Sequence, residues 1–118
     1  MKSNNLRGSL PTELSNATEL ASIDLEDNIL TSTLPSEWSA LSNLFYISLR
    51  LNNMIGQLPS EWRSLNRLNT LDLEGNQLNG TLPKEYGHLT GLVALYFESN
   101  HFAVIIWEFD ETGELLCP

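Results

Sequence analysis

Residues 68–83 read Leu68-Asn69-Thr70-Leu71-Asp72-Leu73-Glu74-Gly75-Asn76-Gln77-Leu78-Asn79-Gly80-Thr81-Leu82-Pro83. Leu71 and Leu73 alternate with polar residues, the period-two pattern of a short strand with one buried face. Stepping through the chain by 24 residues finds the same stretch again, without a gap, from Asn4 to Phe102. Self-similarity at a fixed period of this length marks stacked repeats. The apolar starts are Leu20, Leu44, Leu68 and Leu92, followed by Ile23, Ile47, Leu71 and Leu95 and then by Leu25, Leu49, Leu73 and Phe97. Further columns hold Asn28, Asn52, Asn76 and Asn100; Leu30, Met54, Leu78 and Phe102; Leu10, Leu34, Leu58 and Leu82; and Pro11, Pro35, Pro59 and Pro83.

Each column has a physical reason. Strands centred near residues 22–24, 46–48, 70–72 and 94–96 stack into one parallel sheet, about 4.8 Å per coil. The Asn column falls where the chain turns sharply after the strand. Its amides can satisfy backbone groups that the bend leaves unpaired, which predicts a buried structural ladder at Asn28, Asn52, Asn76 and Asn100. The Pro column marks entry to a short helical turn, where a missing N–H costs nothing. Glu13, Glu37, Glu61 and Glu85 follow at its positive end. Leu14, Trp38, Trp62 and Tyr86 read as packing on the convex side, and Ala17, Leu41, Leu65 and Leu89 complete the expected core.

These residues resemble the plant-type extracellular leucine-rich repeat family, with its pattern L-x-x-L-x-L-x-x-N-x-L-x-G-x-[IL]-P. Leu68, Leu71, Leu73, Asn76, Leu78, Gly80, Leu82 and Pro83 match it in full; Gly56-Gln57-Leu58-Pro59 and Gly8-Ser9-Leu10-Pro11 match its second half. The resemblance covers about residues 4–102 and implies a right-handed α/β solenoid with a short parallel sheet on the concave face. It divides the chain into a partial repeat (1–19), three full repeats (20–43, 44–67, 68–91), the start of a fourth (92–102) and a divergent tail (103–118). Ser32 stands where the family has Gly. In the fourth repeat Val104, Ile106 and Trp107 replace its Gly, Leu and Pro. The family's cysteine-paired caps have no counterpart apart from Cys117, so a fragment of a longer protein is expected. The tail, with strand-forming residues 104–109, a turn at Asp110-Glu111-Thr112-Gly113 and a second strand at Glu114-Leu115-Leu116, is expected to fold back over the last coil as a hairpin or flap, the alternative being a tail that hangs free of the solenoid. Folding back would place Trp107 or Phe109 on the apolar end.

The composition excludes several functions. Fifteen acidic against six basic residues give a net charge of −9, the wrong sign for nucleic acid or an anionic membrane surface. No run of about 20 apolar residues offers a membrane span, and no signal peptide precedes the repeats. A lone Cys117 can make neither an internal disulfide nor a zinc site. His88 and His101 have no nucleophile partner at a recognisable motif and are expected in solvent. Glu26-Asp27 lacks the ordered spacing of a calcium loop, and the glycines follow the repeat and not a phosphate loop. No cofactor and no enzymatic activity are therefore expected.

Function is expected on the outward strand positions, which vary while the inward columns stay constant: Ser22, Asp24, Glu26, Tyr46, Ser48, Arg50, Thr70, Asp72, Glu74, Ala94, Tyr96 and Glu98. Five acids and one arginine leave this face at −4, suited to a basic protein or peptide partner, with Tyr46 and Tyr96 as aromatic anchors. Sequons at Asn16-Ala17-Thr18 and Asn79-Gly80-Thr81 agree with the secreted family and make Asn16 and Asn79 candidate glycosylation sites. The resemblance implies a receptor-like or secreted binding module. The alternative is a spacer or surface-adsorbing segment, for which the mixed lateral column Ser9, Thr33, Gln57 and Thr81 is poorly patterned.

Overall fold

The computed structural model describes residues 5–102, 108–109 and 115–116. Its chain winds as a right-handed solenoid. The first ladder comprises β2 (Ser22–Asp24), β4 (Tyr46–Ser48), β6 (Thr70–Asp72) and β8 (Ala94–Tyr96). They form a four-stranded parallel sheet in the order β2-β4-β6-β8. Its register follows the 24-residue step, with Ile23 beside Ile47, Ile47 beside Leu71 and Leu71 beside Leu95. Hydrogen bonding continues past the strand ends, for example from Leu49 N to Asp72 O at 2.9 Å and from Leu51 N to Glu74 O at 2.9 Å.

A second set of parallel pairings, absent from the sequence reading, runs along the next side of each coil. There β1 (Arg7–Gly8) pairs with β3 (Ile29–Leu30), and β5 (Ile55–Gly56), β7 (Gln77–Gly80) and β9 (His101–Phe102) join in that order. Partners here are 22 residues apart, as in Ile55 with Gln77 and Asn79 with His101. The backbone reaches this line through left-handed residues. Gly56 and Gly80 have φ of 85° and 81°, and a Cβ on either would approach the Thr33 or Gln57 side chain to 2.9 Å. Ser32 adopts φ 77° in the same column. Its counterpart neighbour one coil back is Ser9, a smaller side chain than Thr33 or Gln57, so a Cβ is tolerated there.

The return side of each coil is a 3-10 turn: Thr12–Asn16, Ser36–Ala40, Ser60–Ser64 and Lys84–His88, each entered through a Pro in extended conformation. A 3-10 turn advances about 2.0 Å per residue, so five residues suffice to recross the coil. Trp38, Trp62 and Tyr86 turn inward from these segments and are wholly buried. They form a ladder of their own. Trp38 Nε1 donates to Pro11 O (3.1 Å), Trp62 Nε1 to Pro35 O (2.9 Å) and the Tyr86 hydroxyl to Pro59 O (2.8 Å). The two indoles stack at 6.2 Å, 6° from parallel. The aromatic column thus packs and also ties each coil to the one before. Burial, with Glu61 nearby, pushes the Tyr86 phenol well above its usual pKa, so it remains a donor.

Leu44, Ile47, Leu49, Leu65, Leu68, Leu71 and Leu73 have no solvent exposure, each burial contributing roughly 1.5–3 kcal/mol. Two expected core positions differ. Leu14 is half-buried and Ala17 is exposed, because among the described residues the first turn is stacked on one side only. In the tail, β10 (Glu108–Phe109) pairs antiparallel with β11 (Leu115–Leu116), and β11 lies beside the Lys84–His88 turn. An antiparallel pair therefore lies beside the last turn of the solenoid; the residues joining its strands, Trp107 and the side chain of Phe109 lie outside the described residues.

Between strand and second ladder sit the asparagines. Asn28, Asn52 and Asn76 are buried and Asn100 half-buried. Asn76 Oδ1 accepts from Met54 N (3.0 Å), and its Nδ2 donates to Leu49 O (2.9 Å) and Leu73 O (3.1 Å). Asn52 repeats this with Leu30 N, Leu25 O and Leu49 O. Asn100 does so with Leu78 N, Leu73 O and Phe97 O. Asn76→Ala would strand one N–H and two carbonyls in the interior, and a stranded buried group costs about 1–3 kcal/mol. We expect a loss of about 3 kcal/mol or more in denaturant unfolding and a smaller loss for Asn100→Ala; equal, sub-kilocalorie effects would contradict the ladder's role.

Candidate functional site

The four-stranded sheet arranges the outward side chains in three rows. Its register sets Ser22, Tyr46, Thr70 and Ala94 side by side, and then Asp24, Ser48, Asp72 and Tyr96. Glu26, Arg50, Glu74 and Glu98 continue the pattern just beyond the strands, where Asp27, Leu51 and Gly75 N–H groups bond to Arg50, Glu74 and Glu98 carbonyls. Neighbours within a row are about 4.8 Å apart by backbone spacing. Ser22, Tyr96 and Glu98 are exposed; Asp24, Glu26, Tyr46, Arg50, Thr70, Asp72, Glu74 and Ala94 are half-buried.

Ser48 departs from the expected open position. Its residue exposure is 0%. The short side chain sits between two longer ones, Asp24 and Asp72, and between Tyr46 and Arg50 on its own segment, which together shade it from solvent. Its Oγ has no hydrogen-bond partner.

The carboxylates are organised by local bonds. Asp24 Oδ1 accepts from Glu26 N and Asp72 Oδ1 from Glu74 N, both at 3.2 Å. Arg50 reaches Glu26 at 3.5 Å and Glu74 at 3.7 Å. These contacts are long and part-exposed, so they contribute at most about 1 kcal/mol each and chiefly orient the guanidinium. Among the described residues no group of three or more His, Cys, Asp or Glu side chains could hold a metal ion.

Two apolar residues extend the face and were missed by the sequence reading. Phe45 is 55% exposed and Val93 78%. They share the column Ala21, Phe45, Asn69 and Val93 at the start of the strands. A large apolar residue in a column that is otherwise small or polar was the signal. Asn16 and Asn79 are both exposed, as are His88 and His101.

Desolvation raises the Asp72 carboxyl above the ordinary 3.8; the bond from Glu74 N opposes the rise, Glu74 charge adds to it, Arg50 opposes it and Glu26 adds. A group whose pKa is raised by folding contributes most stability below its unfolded pKa and loses that contribution as pH rises through its folded pKa. Asp72→Asn keeps the acceptor and removes the charge. It should therefore raise the melting temperature at neutral pH, with the gain vanishing by about pH 3. A gain of the same size at both pH values would contradict this assignment.

Comparison with known proteins agrees with the geometry. The Leucine rich repeat family profile matches residues 18–78. No curated protein sequence matches the chain. Among solved structures, the plant peptide hormone receptor RGFR1 in complex with RGF2 is similar over 83% of this chain and 16% of its own, with 34% identity and TM-score 0.82. The Arabidopsis receptor kinase HAESA, in complex with the peptide hormone IDA and the co-receptor SERK1, is similar over 81% of this chain and 16% of its own, with 33% identity and TM-score 0.79. A plant ice-binding protein is similar over 86% of this chain and 33% of its own, with 29% identity and TM-score 0.82. The chain thus spans less than a fifth of the two receptor chains. With its 24-residue register, parallel ladder and buried asparagines, the chain belongs to the leucine-rich repeat family, in its plant-type form.

Proposed function

We propose that this chain is a protein- or peptide-binding segment of a receptor-like or secreted protein, and that its partner docks on the concave sheet and is basic. One observation carries the reading. Four strands in strict register, with the segments just beyond them, set twelve variable side chains on one face, above inward columns that hold almost nothing but Leu and Ile. The packing claims only the inward positions, so the outward ones are free to match a partner. The likeness to receptor ectodomains solved with peptide hormones supports the same class of ligand. The acidic rows favour a cationic one. Exposed Tyr96 and half-buried Tyr46 supply aromatic anchors.

A second reading, adsorption to a regular surface, draws on the likeness to a plant ice-binding protein. Its candidate ladder of Ser9, Thr33, Gln57 and Thr81 is exposed throughout but mixes three side-chain types, which weakens any lattice match. Thermal hysteresis by the purified chain is the measurement that would favour it.

Selection of random short peptides against the folded chain tests the binding reading. Replacing Tyr46 and Asp72 together by Ala should weaken the selected peptides about tenfold or more. Replacing exposed Glu37 and Glu61 on the opposite side should change little, and raising salt should weaken binding. Equal effects from the two double variants would count against the concave face.

The setting we propose is extracellular, with a glycan on Asn79. Asn79 is exposed on β7 and lies in a sequon; no helix among the described residues is long and apolar enough to cross a membrane. A peptide map of the protein from its native source should show Asn79 modified; an unmodified Asn79 there would remove the claim.

A further inference from the structure

One arginine is held in place without being neutralised. Arg67 is exposed, and its Nη1 donates to Asn43 Oδ1 at 3.1 Å. Asn43 donates in turn from Nδ2 to Thr18 O at 3.2 Å. This relay spans three successive coils at the bend that leads into the strands. It orients the guanidinium with an amide where Arg50 uses two carboxylates, Glu26 and Glu74. Among the described residues no carboxylate pairs with Arg67.

The surroundings of Arg67 differ from the rest of the surface. The chain has fifteen acids, yet residues 42–46, 66–70 and 90–94, which lead into β4, β6 and β8, hold none. Glu19, two coils away from Arg67, is the one acid at the corresponding bends. The same edge carries Phe45, 55% exposed, and Val93, 78% exposed. They flank Asn69 in one hydrogen-bonded column: Asn69 N donates to Phe45 O at 2.8 Å and Val93 N to Asn69 O at 2.9 Å. Two apolar residues thus stand about 10 Å apart by backbone spacing, with a half-buried amide between them. Asn69 Oδ1 accepts from Thr70 Oγ1 at 2.9 Å, which leaves Nδ2 to donate.

We infer that this strand-entry edge is a second docking site, for a protein segment in which an apolar residue neighbours a glutamate or aspartate. The carboxylate meets Arg67, and the apolar side chain packs on Phe45 and Val93 over Asn69. A guanidinium has five donors in a plane and Asn43 takes one, so two remain for a carboxylate. Because Asn43 already holds the side chain, little ordering is left to be done on binding. The inference goes beyond the concave-face reading and does not depend on it. The concave rows are acidic and select a cation, whereas this edge carries a cation and selects an acid.

The experiment uses the full chain and four acetylated, amidated glycine pentapeptides carrying Leu-Glu, Leu-Gln, Gly-Glu or Leu-Lys within them. They are titrated by amide NMR at low salt. Capped ends leave the glutamate side chain as the sole carboxylate. The Leu-Glu peptide should give saturable shifts centred on Arg67, Asn69 and Val93, about threefold tighter than Leu-Gln or Gly-Glu. The Leu-Lys peptide should leave this edge unshifted. Arg67→Gln should reduce Leu-Glu to the level of Leu-Gln, and Val93→Ser should reduce it to the level of Gly-Glu. Both positions are exposed, so the melting temperature should change little.

The site is overturned if Leu-Glu gives no saturable shift, binds no tighter than Leu-Gln, or is unaffected by Arg67→Gln. Self-association of the chain that Val93→Ser abolishes would overturn it too, by making the occupant a second copy. Shifts centred on the concave rows would remove this site and leave the concave face standing. Basic peptides selected on the concave face should bind Arg67→Gln as they bind the unaltered chain; equal losses of both peptide classes would show that the two sites are not separate.

Discussion

The buried asparagine amide is the constraint on which this solenoid depends. Every coil must turn out of the sheet at the same height, and each turn leaves an N–H and carbonyls facing the interior with no strand to pair them. One primary amide carries both an acceptor and two donors, and in Asn52 and Asn76 all are used, across two successive coils. Aspartate would offer no donor and leucine neither function. Because each amide bonds to the coil before it, the ladder joins coils as well as closing turns. Regular stacking is what allows the flanking Leu columns to meet and bury.

On the far side, the aromatic column does related work with different chemistry. Trp38, Trp62 and Tyr86 each bury a large apolar body and direct one N–H or O–H to a proline carbonyl of the preceding coil. That carbonyl stands where the chain enters a 3-10 turn, a place where regular pairing is lost. Tyr can replace Trp because both bring a single donor at the far end of a ring. With asparagines at one bend and aromatics at the other, the outward side chains of the sheet are not required for the fold, and their chemistry is open to a partner.

What those side chains share is charge of one sign held close together. Stacking acids about 4.8 Å apart costs free energy that a solvent-facing sheet only partly screens. Arg50 relieves it in one row; in the next, the Asp72 pKa is raised chiefly by desolvation, and the Glu74 and Glu26 charges add to the rise. Such a surface gains from a cation placed on it.

The period, the strand positions, the inward columns and the buried Asn ladder were legible in the sequence, because each follows from a local requirement repeated every 24 residues: alternation for a strand, Pro for a turn entry, an amide for an unpaired bend. Asn79 was legible as an exposed site for the same reason, since it falls between the inward Leu78 and the turn Gly80. The tertiary structure decided what depends on the distance between coils. The second ladder pairs residues 22 apart, a register that the 24-residue period does not reveal. The proline carbonyls that receive Trp38, Trp62 and Tyr86 lie 27 residues upstream, set by how far an aromatic side chain reaches across one coil. The burial of Ser48 was hidden too, because alternation assigns a side chain to a face, whereas its exposure depends on the length of its neighbours in the adjacent coils, Asp24 and Asp72.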